Sequence, residues 1–248
     1  MKTAIVTGAA RGIGLATTKL FLADGWRVAM VDWDHDELHR VAGELDGAEA
    51  FAADISDEEQ VRAMVAQAAD ALGGIHALVN NAGVADFGPI EETDFDRWRA
   101  VMRVNLDGTF LCSQAALPHL KASKGAIVNI ASISGLRAST LRVVYGTSKA
   151  GVMQLTLQQA VELGEFGIRA NCVCPGPVRT KLAMAVHTQT IIDAYHDAIP
   201  LNRYGSEQEI AEAICFLCSD KASYITGQIL SVDGGFEATG VGLPALRS

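Results

Sequence analysis

Short runs rich in β-branched and apolar residues alternate with longer helical stretches along the whole 248-residue chain, and this rhythm restricts the fold more than any other feature. The strand candidates are TAIVT, RVAMV, AEAFAA, HALVN, AIVNIA, IRANCVC and QILSVDG; helical stretches lie between them near 13–23, 35–45, 57–72, 94–121, 146–164 and 207–218. Most of the strands are apolar at successive positions, as strands covered on both faces must be. Strand–helix alternation of this kind predicts an α/β fold: a doubly wound parallel sheet of about seven strands with helices on both faces. The length is close to the ~250–300 residues that one hydrophobic core can serve, so residues 1–248 are expected to form one domain. Residues 181–205 break the rhythm, mixing Met, Tyr and two His with small residues, and are expected to form a mobile lid inserted before the last helix.

Charge narrows the function. With 20 basic and 29 acidic residues the net charge is −9, and no Lys/Arg cluster occurs. Nucleic acid and anionic membrane are therefore poor partners. No run approaches the ~18 apolar residues of a membrane span, and glycines and Arg11 interrupt the N-terminal segment before any secretory core forms. The cytoplasm is the expected compartment, in keeping with an odd cysteine count and no disulfide pattern. Cys215 and Cys218 fall one helical turn apart, Cys172 and Cys174 are read as pointing to opposite faces of a strand, and all are expected to be buried free thiols.

Between the first strand and first helix lies IVTGAARGIG. Gly8, Gly12 and Gly14 allow a tight turn, close approach of backbone to a pyrophosphate, and tight helix–sheet packing, which together predict a Rossmann-type dinucleotide site. Alone the triplet could be a simple turn; its strand–turn–helix setting favours nucleotide binding. The second strand ends in Asp32, eighteen residues after Gly14, where a carboxylate can accept hydrogen bonds from both adenosine ribose hydroxyls. It would repel a 2′-phosphate ~5 Å away by about 2 kcal/mol in water and ~6–7 kcal/mol at an effective dielectric of 20. Arg11 could reach such a phosphate but offsets the carboxylate only in part, so NAD(H) is expected over NADP(H). Trp33 is a candidate to flank the adenine, or merely covers the strand end.

In VVYGTSKAG, Tyr145 and Lys149 sit one helical turn apart on the same face. Taken alone the pair could be an ordinary surface contact. Its company is informative: TGAARGIG, NNAG at 80–83, VNLDGTF at 104–110, NIAS at 129–132, YGTSK at 145–149, PGPVRT at 175–180 and YITGQILSVDGG at 224–235 follow in order. In these motifs, from about residue 3 to 236, the chain resembles the short-chain dehydrogenase/reductase family in its compact single-domain branch.

The resemblance implies that Tyr145 is the acid/base and also a cofactor contact, that Lys149 holds the nicotinamide ribose and lowers the tyrosine pKa, and that Ser132 polarises the substrate oxygen. Asn105 would complete the set by holding a water in a proton relay. Asn81, Ala82 and Gly83 would pass the adenosine side of the cofactor, and Asp54 and Ile55 would meet the adenine. Pro175 and Gly176 would line the nicotinamide face, with Val178 and Thr180 on its carboxamide and Ile13 a further cofactor contact. Homotetramers built on helices 94–121 and 146–164 are implied too, and the tail from Phe236 either covers a neighbour's site or frays.

The chemistry is consistent. A free tyrosine with pKa ~10 is a poor base at neutral pH, and lowering it ~3 units needs about 4 kcal/mol, which an ammonium and an oxidised nicotinamide could supply. The expected activity is NAD(H)-dependent interconversion of a secondary alcohol and a ketone. An NADPH-dependent 3-oxoacyl-carrier-protein reductase is the alternative, and a nicotinamide-sensing protein without turnover a third. Phe87, Ser134, Leu136, Arg137, Leu141, Met184 and His187 are expected to line the substrate pocket. His187 and His196 lack metal-ligand spacing, so no metal is expected.

Overall fold

The computed structural model describes residues 1–240; the end of the tail, 241–248, lies outside the described residues. Seven strands form one all-parallel sheet: β1 (Thr3–Thr7), β2 (Arg27–Asp32), β3 (Ala48–Ala52), β4 (Ala77–Asn80), β5 (Ala126–Ile130), β6 (Arg169–Pro175) and β7 (Ile229–Val232). Their spatial order is β3-β2-β1-β4-β5-β6-β7. The chain thus leaves β1 in one direction and returns to its other side at β4, opening a crevice at the carboxyl ends of β1 and β4. That switch point is where open α/β sheets bind ligands.

Alternate residues of each strand feed two cores. On one face Val6, Met30, Val79 and Val128 pack with α1 (Gly12–Ala23), α2 (His35–Ala42) and α10 (Glu207–Cys218), through Phe21, Leu38 and Ile214. On the other, Ile5, Val31, Leu78 and Ile127 pack with α3 (Glu58–Leu72), α5 (Gly108–Ser123) and α7 (Val143–Leu163), through Met64, Cys112, Leu120 and Leu163. Both faces are covered, which explains why these strands carry no polar alternation.

Three local outcomes differ from the sequence expectation. The helix expected over 94–121 is broken into α4 (Phe95–Met102), a π-helical turn (Arg103–Asp107) and α5. Residues 181–205 contain two helices, α8 (Lys181–Val186) and α9 (Gln189–Ala198), each started by a threonine side chain accepting a backbone N–H. Cys172 and Cys174 share a face of β6, their sulfurs 4.0 Å apart. The period of a strand is two, so residues i and i+2 must point the same way; the opposite-face reading was mistaken. All five cysteines are buried and free.

Candidate active site

Ser132 lies just beyond β5 in extended backbone and caps the short helix α6 (Ile133–Leu136), its Oγ accepting the Ser134 N–H at 3.1 Å. Helix α7 starts two residues before Tyr145, so Tyr145 and Lys149 fall on one face of its first turns. The Lys149 Nζ stands 5.9 Å from the centre of the Tyr145 ring and donates to the Ile130 carbonyl at 2.8 Å. Burial lowers Lys149 to about 8. It pushes the Tyr145 phenol up, against the opposing pull of the Ser132 hydrogen bond and the Arg142 charge. The protein's own groups therefore leave this tyrosine above its ordinary value, because desolvation of the phenolate outweighs them.

Asn105 sits in the π-helical turn, fully buried. Its Oδ1 accepts from Val84 N–H at 2.8 Å, and its Nδ2 donates to Val84 O and Ser148 Oγ, both at 2.9 Å. The amide thus ties the loop after β4 to α7, one residue before Lys149. A π-turn re-aims side chains by inserting a residue into the helical ladder, and such turns collect at functional sites.

At the end of β2, Asp32 is 7% exposed. One carboxylate oxygen accepts from Ala10 N–H and the other from Asp34 N–H, each at 3.1 Å. Arg11 is held by an ion pair to Asp34, and Trp33 is largely exposed beside it. The glycine loop is sterically tight. A Cβ on Gly14 would stand 2.1 Å from the Gly8 carbonyl oxygen, and Gly8 itself has φ +65° with the Ala82 backbone 2.9 Å from its would-be Cβ. Gly12 is also left-handed, at φ +59°, but an added Cβ there would meet only Glu207 Oε1, at an ordinary 3.7 Å. Asn81 Nδ2 locks this turn to the next strand by donating to the Thr7 and Gly8 carbonyls.

One cleft, about 1100 Å³ with its solvent-open mouth, is lined by Ile13, Asn81, Gly83, Ser132, Tyr145, Lys149, Pro175, Gly176, Val178 and Thr180. Gly8, Arg11, Gly12, Gly14, Asp32 and Trp33 form the neighbouring group around the ends of β1 and β2. Asp54 is exposed on the β3 side, whereas the Ile55 side chain is buried against the position of Gly108.

The expected substrate residues divide. Ser134, His187 and Phe87 line the cleft; Leu136, Leu141 and Met184 do not. Leu136 and Leu141 are exposed, and on α8 it is Ala183, a 100° step away from Met184, that lines the cleft. Arg137 turns instead to the C-terminal segment, pairing with Glu237 at 2.9 Å and donating to Thr239 O at 2.8 Å. The lining also holds Val84, Ala85, Arg142 and Tyr195, which sequence reasoning missed. Arg142 was within reach of that reasoning, since it lies three residues before Tyr145. Tyr195 carried no signal: it reaches the cleft only because α9 stacks its ring on His187, with centroids 5.6 Å apart.

A family model described as Enoyl-(Acyl carrier protein) reductase matches residues 8–237. The chain is 40% identical over 240 residues to meso-2,3-butanediol dehydrogenase of Serratia marcescens, covering 96% of this chain and 95% of that one. It is 37% identical to 2-(S)-hydroxypropyl-CoM dehydrogenase 3 of Xanthobacter autotrophicus, covering 94% and 95%. A third relative, 3-oxoacyl-[acyl-carrier-protein] reductase FabG of Thermotoga maritima, is 36% identical over 94% of this chain and 97% of its own. The chain belongs to the short-chain dehydrogenase/reductase family.

As a member of that family it is an oxidoreductase that interconverts a secondary alcohol and a ketone, using a nicotinamide cofactor. Its residues fit such a dinucleotide. The turn at Gly8 and Gly14 has no room for any side chain and presents backbone to a phosphate. Gly83 keeps the cleft floor open, since a Cβ there would lie 3.1 Å from Asn105 Oδ1 and 3.2 Å from Lys149 Nζ. No helix among the described residues is long and apolar enough to cross a membrane.

Proposed function

We propose that the protein is an NAD(H)-dependent dehydrogenase of secondary alcohols in which Tyr145 exchanges the hydroxyl proton. The observation that carries the cofactor choice is Asp32. Two backbone N–H groups fix its carboxylate at the end of β2, and its remaining lone pairs suit ribose hydroxyls. Arg11, the cation best placed to offset a 2′-phosphate, is committed to Asp34. In this reading Gly8, Gly12, Ile13, Gly14, Asp32, Asn81, Ala82 and Gly83 hold the adenosine and phosphate half of the cofactor, with Arg11, Trp33, Asp54 and Ile55 around it. Pro175, Gly176, Val178 and Thr180 hold the nicotinamide, which when bound takes a hydride from the carbinol carbon or returns one to the ketone.

Ser132 orients the substrate oxygen toward Tyr145, whose phenol accepts its proton in oxidation and donates it in reduction. Lys149, charged at neutral pH and anchored on the Ile130 carbonyl, supplies the nearest fixed ammonium and holds the ribose. Burial raises the tyrosine, Ser132 and the Arg142 charge offset that only in part, and a bound oxidised nicotinamide would add positive charge in favour of the phenolate. Asn105 acts through position, keeping the loop after β4 and the start of α7 in register. The gathering of Ser132, Tyr145 and Lys149 at one cleft supports turnover rather than cofactor sensing.

We further infer a homotetramer, supported by exposed Phe110 on α5 and exposed Leu157 and Val161 on α7, and a cytoplasmic location, supported by five free thiols. Helices α8 and α9 serve as the lid. The test of the cofactor choice is Asp32→Ala: NAD⁺ should bind about 10–100-fold more weakly while NADP⁺ gains, read by steady-state kinetics with both cofactors. An unchanged preference would remove Asp32 from the role.

A further inference from the structure

Arg142 is left unused by this chemistry. Among the described residues the lining of the cleft carries two cations, Arg142 and Lys149, and no carboxylate, in a chain whose net charge is −9. Lys149 is occupied by the Ile130 carbonyl. The Arg142 guanidinium, by contrast, has no hydrogen bond or ion pair among the described residues, whereas Arg11, Arg97, Arg137 and Arg203 are each held by a carboxylate.

Its position is nonetheless fixed. The guanidinium carbon lies 4.2 Å over the Phe87 ring and 5.9 Å from the centre of the Tyr145 ring. The backbone beneath it is pinned, for Gly88 forms a parallel bridge with Arg142 and donates its N–H to Leu141 O at 3.1 Å. Leu141 is left-handed at φ +62°, an unfavourable state for a branched residue and a conformation that persists only where the surroundings impose it. Across the cleft stand His187, whose Nδ1 is 2.9 Å from Tyr204 Oη, and the stacked ring of Tyr195. The charge of Arg142 is felt on both sides: it adds to the burial that lowers the pKa of His187, and it opposes the burial that raises that of Tyr145. It belongs to the end of the cleft shared by Phe87, Tyr145 and His187, while the phosphate-cradling glycines lie outside the lining.

We propose that Arg142 anchors an anionic group of the substrate, so that the preferred substrate is a secondary hydroxy acid, or the corresponding oxo acid, whose carboxylate lies a few bonds from the reacting carbon. This rests on the dehydrogenase reading above. A guanidinium presents a planar pair of donors that matches a carboxylate, and an aromatic ring under its face holds it in place. With water displaced from the cleft the pair is worth more than at an open surface, and a lining with two cations and no carboxylate draws such an anion in.

The test compares acids with neutral copies of the same shape: 2-, 3- and 4-hydroxypentanoate against their amides, plus 2-butanol, with NAD⁺ and NADP⁺, in the wild type, Arg142→Gln and Arg142→Lys. At least one acid should exceed its amide about 10–100-fold in kcat/KM. Arg142→Gln should collapse that ratio toward one, and Arg142→Lys should restore part of it; circular dichroism checks that both variants fold. Equal turnover of acids and amides, turnover of 2-butanol alone, or a ratio that survives Arg142→Gln would overturn the anchor while leaving the dehydrogenase intact. No turnover of any alcohol with either cofactor would remove the dehydrogenase reading, and the anchor with it.

Discussion

Around the ends of β1 and β2, backbone atoms do most of the positioning: the Gly8 carbonyl, the Ala10 and Asp34 N–H groups and a glycine turn with no room for a Cβ. At the other end of the site, Phe87, Arg142, His187 and Tyr195 converge from separate segments, and side chains make the surface. The first region is rigid because tightly packed backbone has no alternative arrangement. The second is defined by ring stacking, an unpaired guanidinium and one strained residue, Leu141, all of which change with a single substitution. A site built this way can keep one cofactor geometry while its substrate surface varies, which is how one fold serves many alcohols.

The comparison can be broken at Tyr145, which lines the cleft away from the glycine turn and to which the proposed function gives the proton transfer. Tyr145→Phe should lower kcat/KM by about 10²–10⁴-fold while NADH affinity, read by fluorescence titration, stays within a few-fold. A matching loss of NADH binding would mean the two regions are not separable. Gly14→Ala attacks the other side. Its new methyl group would meet the Gly8 carbonyl oxygen at 2.1 Å, so denaturant unfolding should show a loss of about 3 kcal/mol and NADH binding should fail with it.

A smaller effect separates function from stability at Lys149. Its pKa of about 8 in the fold lies below the ordinary 10.5, so between those values the unfolded chain binds more protons and stability rises with pH. Below about 8 the charged lysine carries its full desolvation cost. Lys149→Met removes that cost but strands the Ile130 carbonyl. It should be about 1–2 kcal/mol more stable than wild type at neutral pH, lose the rise in stability from pH 8 to 10.5, and lose activity. A variant less stable at neutral pH would show that the lysine is structural.

The same division explains what could be read from the sequence. The strands and the glycine loop follow from local pattern and spacing, and the structure places them within a residue or two of expectation. The π-helical turn at Asn105 could not be read, because the hydrophobic pattern of 94–121 continues through it and only the tertiary bonds to Val84 and Ser148 mark the break. The substrate lining was least legible. Which of Met184 and Ala183 faces the cleft depends on how α8 is rotated, and whether Arg137 or Arg142 supplies the cation depends on the left-handed turn at Leu141. The upward push of burial on the Tyr145 phenol could not be read either, since charge is visible in sequence and desolvation is not.

The most direct measurement is isotopic. A panel of secondary alcohols and hydroxy acids, deuterated at the carbinol carbon, would be incubated with the enzyme and NAD⁺, and the reduced nicotinamide analysed by mass spectrometry. The account predicts deuterium in the NADH, more rapidly than with NADP⁺ and absent in Tyr145→Phe. Cofactor that binds tightly yet acquires no deuterium from any member of the panel, in either oxidation state or with either cofactor, would contradict it.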